Sequence, residues 1–482
     1  MVTTATTTAP VMIKPHLLIP ILAAVFMWLG ECLAADAKKP NIIFILADDY
    51  GWGDPHCYGH PYAKTPNIDQ LAKEGTRFTR FYAAGITCCP ARAGLMTGKL
   101  PATFQRYPAD FGFGDRVTVT ELLKKHGYAT GHVGKWHMGP NEKSGTYGLD
   151  VVGADLTPTL SKRPKEGHKD EHIYDSAMAF IEQHRAGPFY LNVWTHIAHH
   201  TITPQQKFVD EFASVTVNED DFSDYQREKF QTVRENGGDV DDAMRHYLGE
   251  AFTMDQDIGR LLAKLDELGL NENTIVVFSS DQGPPAPKNA IPRPAQIAKA
   301  KAAGKELSSE NIRLGMRLLG YAGPETRGGK LDDYEGGVLV PFIVRWPGHV
   351  PAGRVDEKSV ISGADWLPTI CAIAGVPIDE SEFDGEDASK AILGGVHERG
   401  GPLFWKTNTD RSDPAMLWRN WKFFGSSRPQ GKLELYDLSS DPGERINLVE
   451  RHPQLVLELS SKLKAWTDTL PKTYEHGDSK EN

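Results

Sequence analysis

Residues 42–51 read Ile42-Ile43-Phe44-Ile45-Leu46-Ala47-Asp48-Asp49-Tyr50-Gly51. An apolar run of this length, rich in β-branched residues, predicts a buried strand. It stops abruptly on two adjacent acids. Three further segments share that layout. Tyr128–Gly134 ends in Lys135-Trp136-His137, Phe189–Trp194 is followed by His196, His199 and His200, and Ile275–Ser280 ends in Asp281-Gln282-Gly283. Helical patterns lie between them. Ile258, Leu261, Leu262, Leu265 and Leu268 keep helical spacing up to Gly269, and Val119–Lys125 stops before Gly127. Strands alternating with helices predict a layered α/β domain around a mostly parallel sheet. Such sheets bind ligands beyond the carboxyl ends of their strands. Four strand ends of complementary chemistry therefore predict one crevice rather than four separate solvated turns.

The rest of the chain frames this core. Its 482 residues allow one large domain with a smaller one. Residues 206–245 are charged and helical in pattern, without a clear core face. Residues 284–325 are rich in Pro, Ala and Lys, and follow Asp281-Gln282 closely enough to overhang a site there. From about residue 400 the pattern changes to short strands and a final amphipathic helix carrying Leu455, Leu457, Leu459, Leu463 and Trp466. The expected division is a large domain at 38–395 and a small C-terminal α+β domain at 396–482. Lys14, the apolar run Leu17–Leu29 and the small residues around Ala34-Ala35 read as a signal peptide over residues 1–34, too short for a stable membrane span. Export to a periplasmic or extracellular location follows from that reading. A net charge of −11 argues against nucleic acid as a partner. Four cysteines remain beyond the leader, too few for a disulfide framework, and Cys88-Cys89 has no zinc spacing.

Cys88-Cys89-Pro90-Ala91-Arg92-Ala93-Gly94-Leu95-Met96-Thr97-Gly98-Lys99 places a cysteine at the start of a helix that Gly98 can end. Negative charge is favoured there, and Arg92 lies one turn on. Asp48, Asp49, Asp281 and Gln282 supply hard oxygen donors suited to Ca²⁺ or Mg²⁺ and poorly suited to zinc. On an extended segment Lys135 and His137 would share one face. Read alone, Cys88 is equally compatible with a packed structural cysteine.

Cys-x-Pro-x-Arg followed by Leu-Met-Thr-Gly-Lys resembles the signature of the type I, formylglycine-dependent sulfatases of the alkaline phosphatase superfamily. Four further blocks resemble that family in its order: Ala47-Asp48-Asp49-Tyr50-Gly51, Gly134-Lys135-Trp136-His137-Met138-Gly139, His196-Ile197-Ala198-His199, and Lys330-Leu331-Asp332-Asp333-Tyr334-Glu335-Gly336-Gly337. The resemblance implies an alkaline phosphatase-like fold and a sulfuric ester hydrolase. It implies that Cys88 is the modified residue, oxidised to formylglycine by a maturing enzyme, and that one oxygen of the hydrated aldehyde attacks sulfur. It implies a calcium site at Asp48, Asp49, Cys88, Asp281 and Gln282. Lys135, His196, His199 and Lys330 would bind the substrate, with His137 at the nucleophile, His196 at the leaving oxygen and Arg92 among the catalytic groups. Glu335 and Asp365 fall in family blocks as structural residues. The chain departs from the usual pattern at Ala91 for Ser, Gln282 for Asn and Ala198 for Pro.

The expected substrate is a sulfated sugar or polysaccharide, or an aryl sulfate. The alternatives are a phosphonate or phosphate ester hydrolase of the same superfamily and a carbohydrate-binding relative without catalysis. Arg92, Lys135, His137 and Lys330 are all present, which argues against the last.

Overall fold

Strand β1 (Asn41–Ala47) is buried at every position and feeds two cores at once. Ile43, Ile45 and Ala47 face one hydrophobic layer, and Ile42, Phe44 and Leu46 the other, as period-two alternation requires. The computed structural model describes residues 1–2, 39–139, 143–153, 168–199, 202–287, 318–407, 413–428 and 431–477. Nearly all of the expected leader, most of the Pro-, Ala- and Lys-rich segment, and His200 lie outside the described residues.

β1 sits in a nine-stranded sheet with β2 (Thr76–Tyr82), β3 (Ala129–Gly134), β4 (Val151–Gly153), β5 (Phe189–Trp194), β6 (Thr274–Ser280), β7 (Leu339–Arg345), β8 (Arg354–Asp356) and β9 (Ile361–Ser362). The order is β4-β3-β5-β1-β6-β7-β2-β8, with β9 beside β2. All pairs from β4 to β6 are parallel, and β7 runs antiparallel to both neighbours. The mostly parallel α/β architecture read from the sequence is the one found. Helices Pro66–Glu74, Glu171–His184 and Val240–Glu267 cover one face, and Cys88–Thr97, Val119–Lys125 and Trp366–Ile373 the other.

Register aligns the strand ends. Gly134 lies opposite Trp194, Trp194 opposite Leu46, and Leu46 opposite Ser279. The chain therefore leaves β3, β5, β1 and β6 at one level, and the polar residues after each strand emerge along one edge.

Residues 40–482 form one compact unit. Within it, β10 (Leu403–Trp405), β11 (Ala415–Trp418), β12 (Trp421–Phe424) and β13 (Glu434–Asp437) make a small antiparallel sheet. Met416, Phe423 and Leu435 pack on Val456, Leu459 and Leu463 of helix Pro453–Thr469. Leu457, expected on that helix's apolar face, is 65% exposed. Leu459 and Leu463 are four apart and share a side, whereas Leu457 is two residues off that stripe.

Residues 206–245 also differ from expectation. Phe212, Phe222, Phe230, Val233 and Met244 are all buried in the main core. They fall on loops and on two helices, Asp224–Glu235 and Val240–Glu267, so no single period marks them.

Candidate active site

The turn after β1 is tied to both neighbouring strand ends. Asp48 N–H donates to Ile197 O at 2.9 Å, and Ala198 N–H returns a bond to Asp48 O at 2.7 Å. Asp49 takes a left-handed backbone, φ 60°, and donates its N–H to Asp281 Oδ1 at 3.2 Å. Asp281 N–H donates to Ala47 O at 3.1 Å. One ligand atom each from Asp48, Asp49, Cys88 and Asp281 lie within 4.8 Å of one another, all four residues buried. Gln282 donates its amide to Asp49, while its Oε1 is buried with no hydrogen-bond partner among the described residues. Three carboxylates and an unpartnered amide oxygen fit a hard divalent cation.

Cys88 opens helix Cys88–Thr97, two residues earlier than Pro90, and Gly98 closes it at φ 64° with its N–H on Gly94 O. The cysteine Sγ lies 3.3 Å from Lys330 Nζ, 3.4 Å from Asp48 Oδ1 and 3.6 Å from Gln282 Nε2. Burial, with Asp48 second, pushes its thiol up to about 12. Cys89 is also buried and outside this cluster, which leaves Cys88 as the residue facing the acids. Arg92, one turn on, is fully buried. It donates Nε and Nη2 to Asp281 Oδ2 at 2.9 and 2.8 Å and Nη1 to Lys135 O at 3.0 Å, and lies over the Trp194 ring.

Lys135 continues the sheet by one bond, its N–H on Trp194 O at 2.8 Å, and donates its ammonium to Asp48 Oδ2. Lys330 Nζ lies 2.5 Å from Asp49 Oδ1. Burial works against ionisation of Asp48, yet the cations Lys135, Arg92 and Lys330 hold it well below the usual carboxylate range. The extended geometry expected through His137 is not kept, because His137 has φ 58°. It sits at the exposed rim. Desolvation in the cleft, then Lys135 and Arg92, lower its pKa to about 4.

His196 and His199 follow β5. His199 Nε2 is 3.9 Å from Asp49 Oδ2, and burial lowers its pKa to about 3. His196 is held by a residue that sequence reasoning missed. Asp170 Oδ2 accepts the backbone N–H of His196 and Ile197 at 2.7 and 3.0 Å, and its Oδ1 lies 3.2 Å from His196 Nδ1. Asp170 stands at the N-cap of helix Glu171–His184, but its side chain makes no capping bond. Its position before an apolar helix reads as a cap, which conceals its use.

The Lys330 loop is fixed by glycines and by the small sheet. A Cβ on Gly283 would lie 1.9 Å from Gly336 O. Lys330 N–H bonds Pro284 O at 2.8 Å. Glu335 is buried and accepts from Lys422 of β12 at 2.9 Å and from Tyr82 at 3.0 Å, away from the cleft. Asp365 likewise serves the fold, binding Ser362 N–H at 2.7 Å and Arg399. Among the described residues no helix is long and apolar enough to cross a membrane.

A family model named Sulfatase matches residues 40–376. Human arylsulfatase A is 31% identical, with 86% of this chain and 84% of that protein aligned. N-acetylgalactosamine-6-O-sulfatase of Bacteroides thetaiotaomicron is 28% identical over 89% of this chain and 93% of that protein. Among solved structures, Ps i-CgsB in complex with k-i-k-neocarrahexaose superposes with a TM-score of 0.71 at 23% identity, covering 92% of this chain and 96% of that one. A structure in complex with its substrate D-glucosamine-2-N,6-O-disulfate gives 0.68 at 20% identity, over 90% and 98%. These two similarities bear on the fold.

Proposed function

The chain belongs to the sulfatase family and is a sulfatase, and from that premise we propose that it removes sulfate from a sulfated carbohydrate through a nucleophile made from Cys88. The observation that carries this reading is the convergence of Asp48, Asp49, Asp281 and Gln282 on Cys88, with Lys330 3.3 Å from its sulfur and Lys135 on Asp48. Three carboxylates there face three fixed cations, Arg92, Lys135 and Lys330. A divalent ion added to that balance leaves the cleft positive, which suits an anionic sulfuryl group.

When present, formylglycine at residue 88 would supply an oxygen nucleophile, and a Ca²⁺ or Mg²⁺ ion held by Asp48, Asp49, Asp281, Gln282 and residue 88 would supply further positive charge. The chain's own groups do the rest. Lys135 and Lys330 hold the sulfuryl oxygens by preorganised charge. His137, beside Lys135 and Arg92, whose charges disfavour its imidazolium, would accept the proton of that nucleophile. His196 gives a proton from Nε2 to the departing oxygen, and His199 stands on the substrate side. Arg92 orients Asp281 and the Lys135 carbonyl.

The carbohydrate reading rests on the similarity to the N-acetylgalactosamine-6-O-sulfatase of Bacteroides thetaiotaomicron. Maturation by a formylglycine-generating partner, export through residues 1–34, and a division at residues 38–395 and 396–482 belong to the same proposal. The test is sulfate release from a panel of sulfated sugars and aryl sulfates, beside phosphates with matched leaving groups. Faster turnover of the phosphates would move the assignment to phosphate ester hydrolysis.

A further inference from the structure

Asp170 is fully buried, and its carboxylate has three donors in one short segment: the N–H groups of His196 and Ile197, and Nδ1 of the His196 ring. The same segment is joined to the acidic pair through the reciprocal bonds of Asp48 with Ile197 and Ala198. The His196 ring is 12% exposed, and its Nε2 is buried with no partner among the described residues. Lys169 and Glu250 back the arrangement. Their side chains lie 3.4 Å apart, Lys169 donates to His199 O, and Glu250 accepts Thr203 N–H. His132, buried in β3, packs edge-on against the ring of Trp194, two residues before His196.

We propose that Asp170 is the positioning residue for the leaving-group acid: it fixes Nδ1 of His196 as a donor and so directs a protonated Nε2 at the departing oxygen. The proposal rests on the sulfatase reading above and adds a group to it. A carboxylate on Nδ1 sets which ring nitrogen donates to the protein and fixes the orientation of the imidazole, which leaves Nε2 for the reaction. In the reaction, the Nε2–H proton passes to the ester oxygen as the S–O bond breaks, and the electron pair of that bond stays on the leaving oxygen. His196 becomes neutral and recovers its proton from water. Asp170 remains a carboxylate throughout.

This assigns Asp170 a property that a structural role would not have, namely an effect that depends on the leaving group. A sugar alkoxide is a strong base and needs the proton, whereas 4-nitrophenolate leaves readily without one. Asp170→Asn should lower kcat by roughly 10²–10⁴-fold on the best sugar sulfate of the panel, the range for a general acid. On 4-nitrophenyl sulfate the loss should stay below about 10-fold, as expected where proton transfer contributes little. In a His196→Ala background, Asp170→Asn should have no further effect on the sugar sulfate. Equal losses on both substrates, or additive losses in the double variant, would overturn the proposal. Should Asp170→Asn fail to fold, the ¹⁵N spectrum of the wild-type histidines decides. Nδ1 of His196 protonated across the active pH range, with Nε2 protonated in the active form as well, supports the assignment; Nδ1 unprotonated, or Nε2 unprotonated wherever the enzyme is active, refutes it. Absence of any sulfate release by the wild type would instead count against the sulfatase reading itself.

Discussion

Arg92 donates twice to one oxygen of Asp281, at 2.9 and 2.8 Å, and neither side chain is exposed to solvent. Removing one partner leaves the other charge buried without its counterion, which costs roughly 3–5 kcal/mol. Arg92→Met should therefore lose about that much stability in equilibrium urea unfolding, together with sulfate release. A loss below about 1 kcal/mol, the scale of an exposed pair, would show that Arg92 does not hold the site together.

The acidic cluster predicts metal dependence of both stability and activity. Chelation should abolish sulfate release and lower Tm, and added Ca²⁺ should restore both. Binding to the folded state alone stabilises by about 2.7 kcal/mol at a hundredfold excess over Kd, so Tm should climb steadily with calcium in a thermal-shift titration. Asp49→Asn should flatten that climb. An unchanged Tm across the titration would argue against a cation at Asp48, Asp49 and Asp281.

Gly283 and Gly336 touch backbone to backbone, with 1.9 Å left for a Cβ on Gly283. Gly283→Ala should push back the loop that carries Lys330, whose N–H is bonded to the next residue's carbonyl. A displacement of about 1 Å at a binding group can cost roughly 10²-fold in rate. Steady-state kinetics should show kcat/KM falling on that scale, while calcium binding, measured by calorimetry, persists.

Acid sensitivity is expected from Glu386, which lies outside the acidic cluster. Burial works against its ionisation, yet His397, Arg399 and the N–H groups of Gly400 and Gly401 lower its pKa to about 2, from an ordinary 4.5. Between those values the folded chain binds fewer protons at this site than the unfolded chain does. The stability Glu386 contributes is thus complete above about 4.5 and is lost as pH falls toward about 2. Glu386→Gln should reduce the slope of stability against pH in that window, measured by urea unfolding at a series of acidic pH values. An unchanged slope would contradict the assignment.

Much of the site was legible because parallel strands demand unbroken apolar runs. The polar residues that end Ile42–Ala47, Phe189–Trp194 and Ile275–Ser280 therefore stand out, and the register of those strands brings them level. Lys330 was legible only through its motif, since its contact with Asp49 spans 281 positions. Alternation failed at His137, where the chain turns through a positive φ. Asp170 was hidden because a helix cap and a histidine partner look alike in sequence. The buried aromatics of 206–245 were hidden because they come from separate helices and loops, and so share no period.

The central claim is that residue 88 works as an oxidised cysteine. It is tested most directly by the mass of the peptide containing Cys88, taken from protein made with a maturing enzyme and assayed for sulfate release. The account predicts a fraction in which sulfur and two hydrogens are replaced by one oxygen, with sulfate release proportional to that fraction. Protein that turns over sulfate esters while Cys88 remains an intact thiol would contradict it.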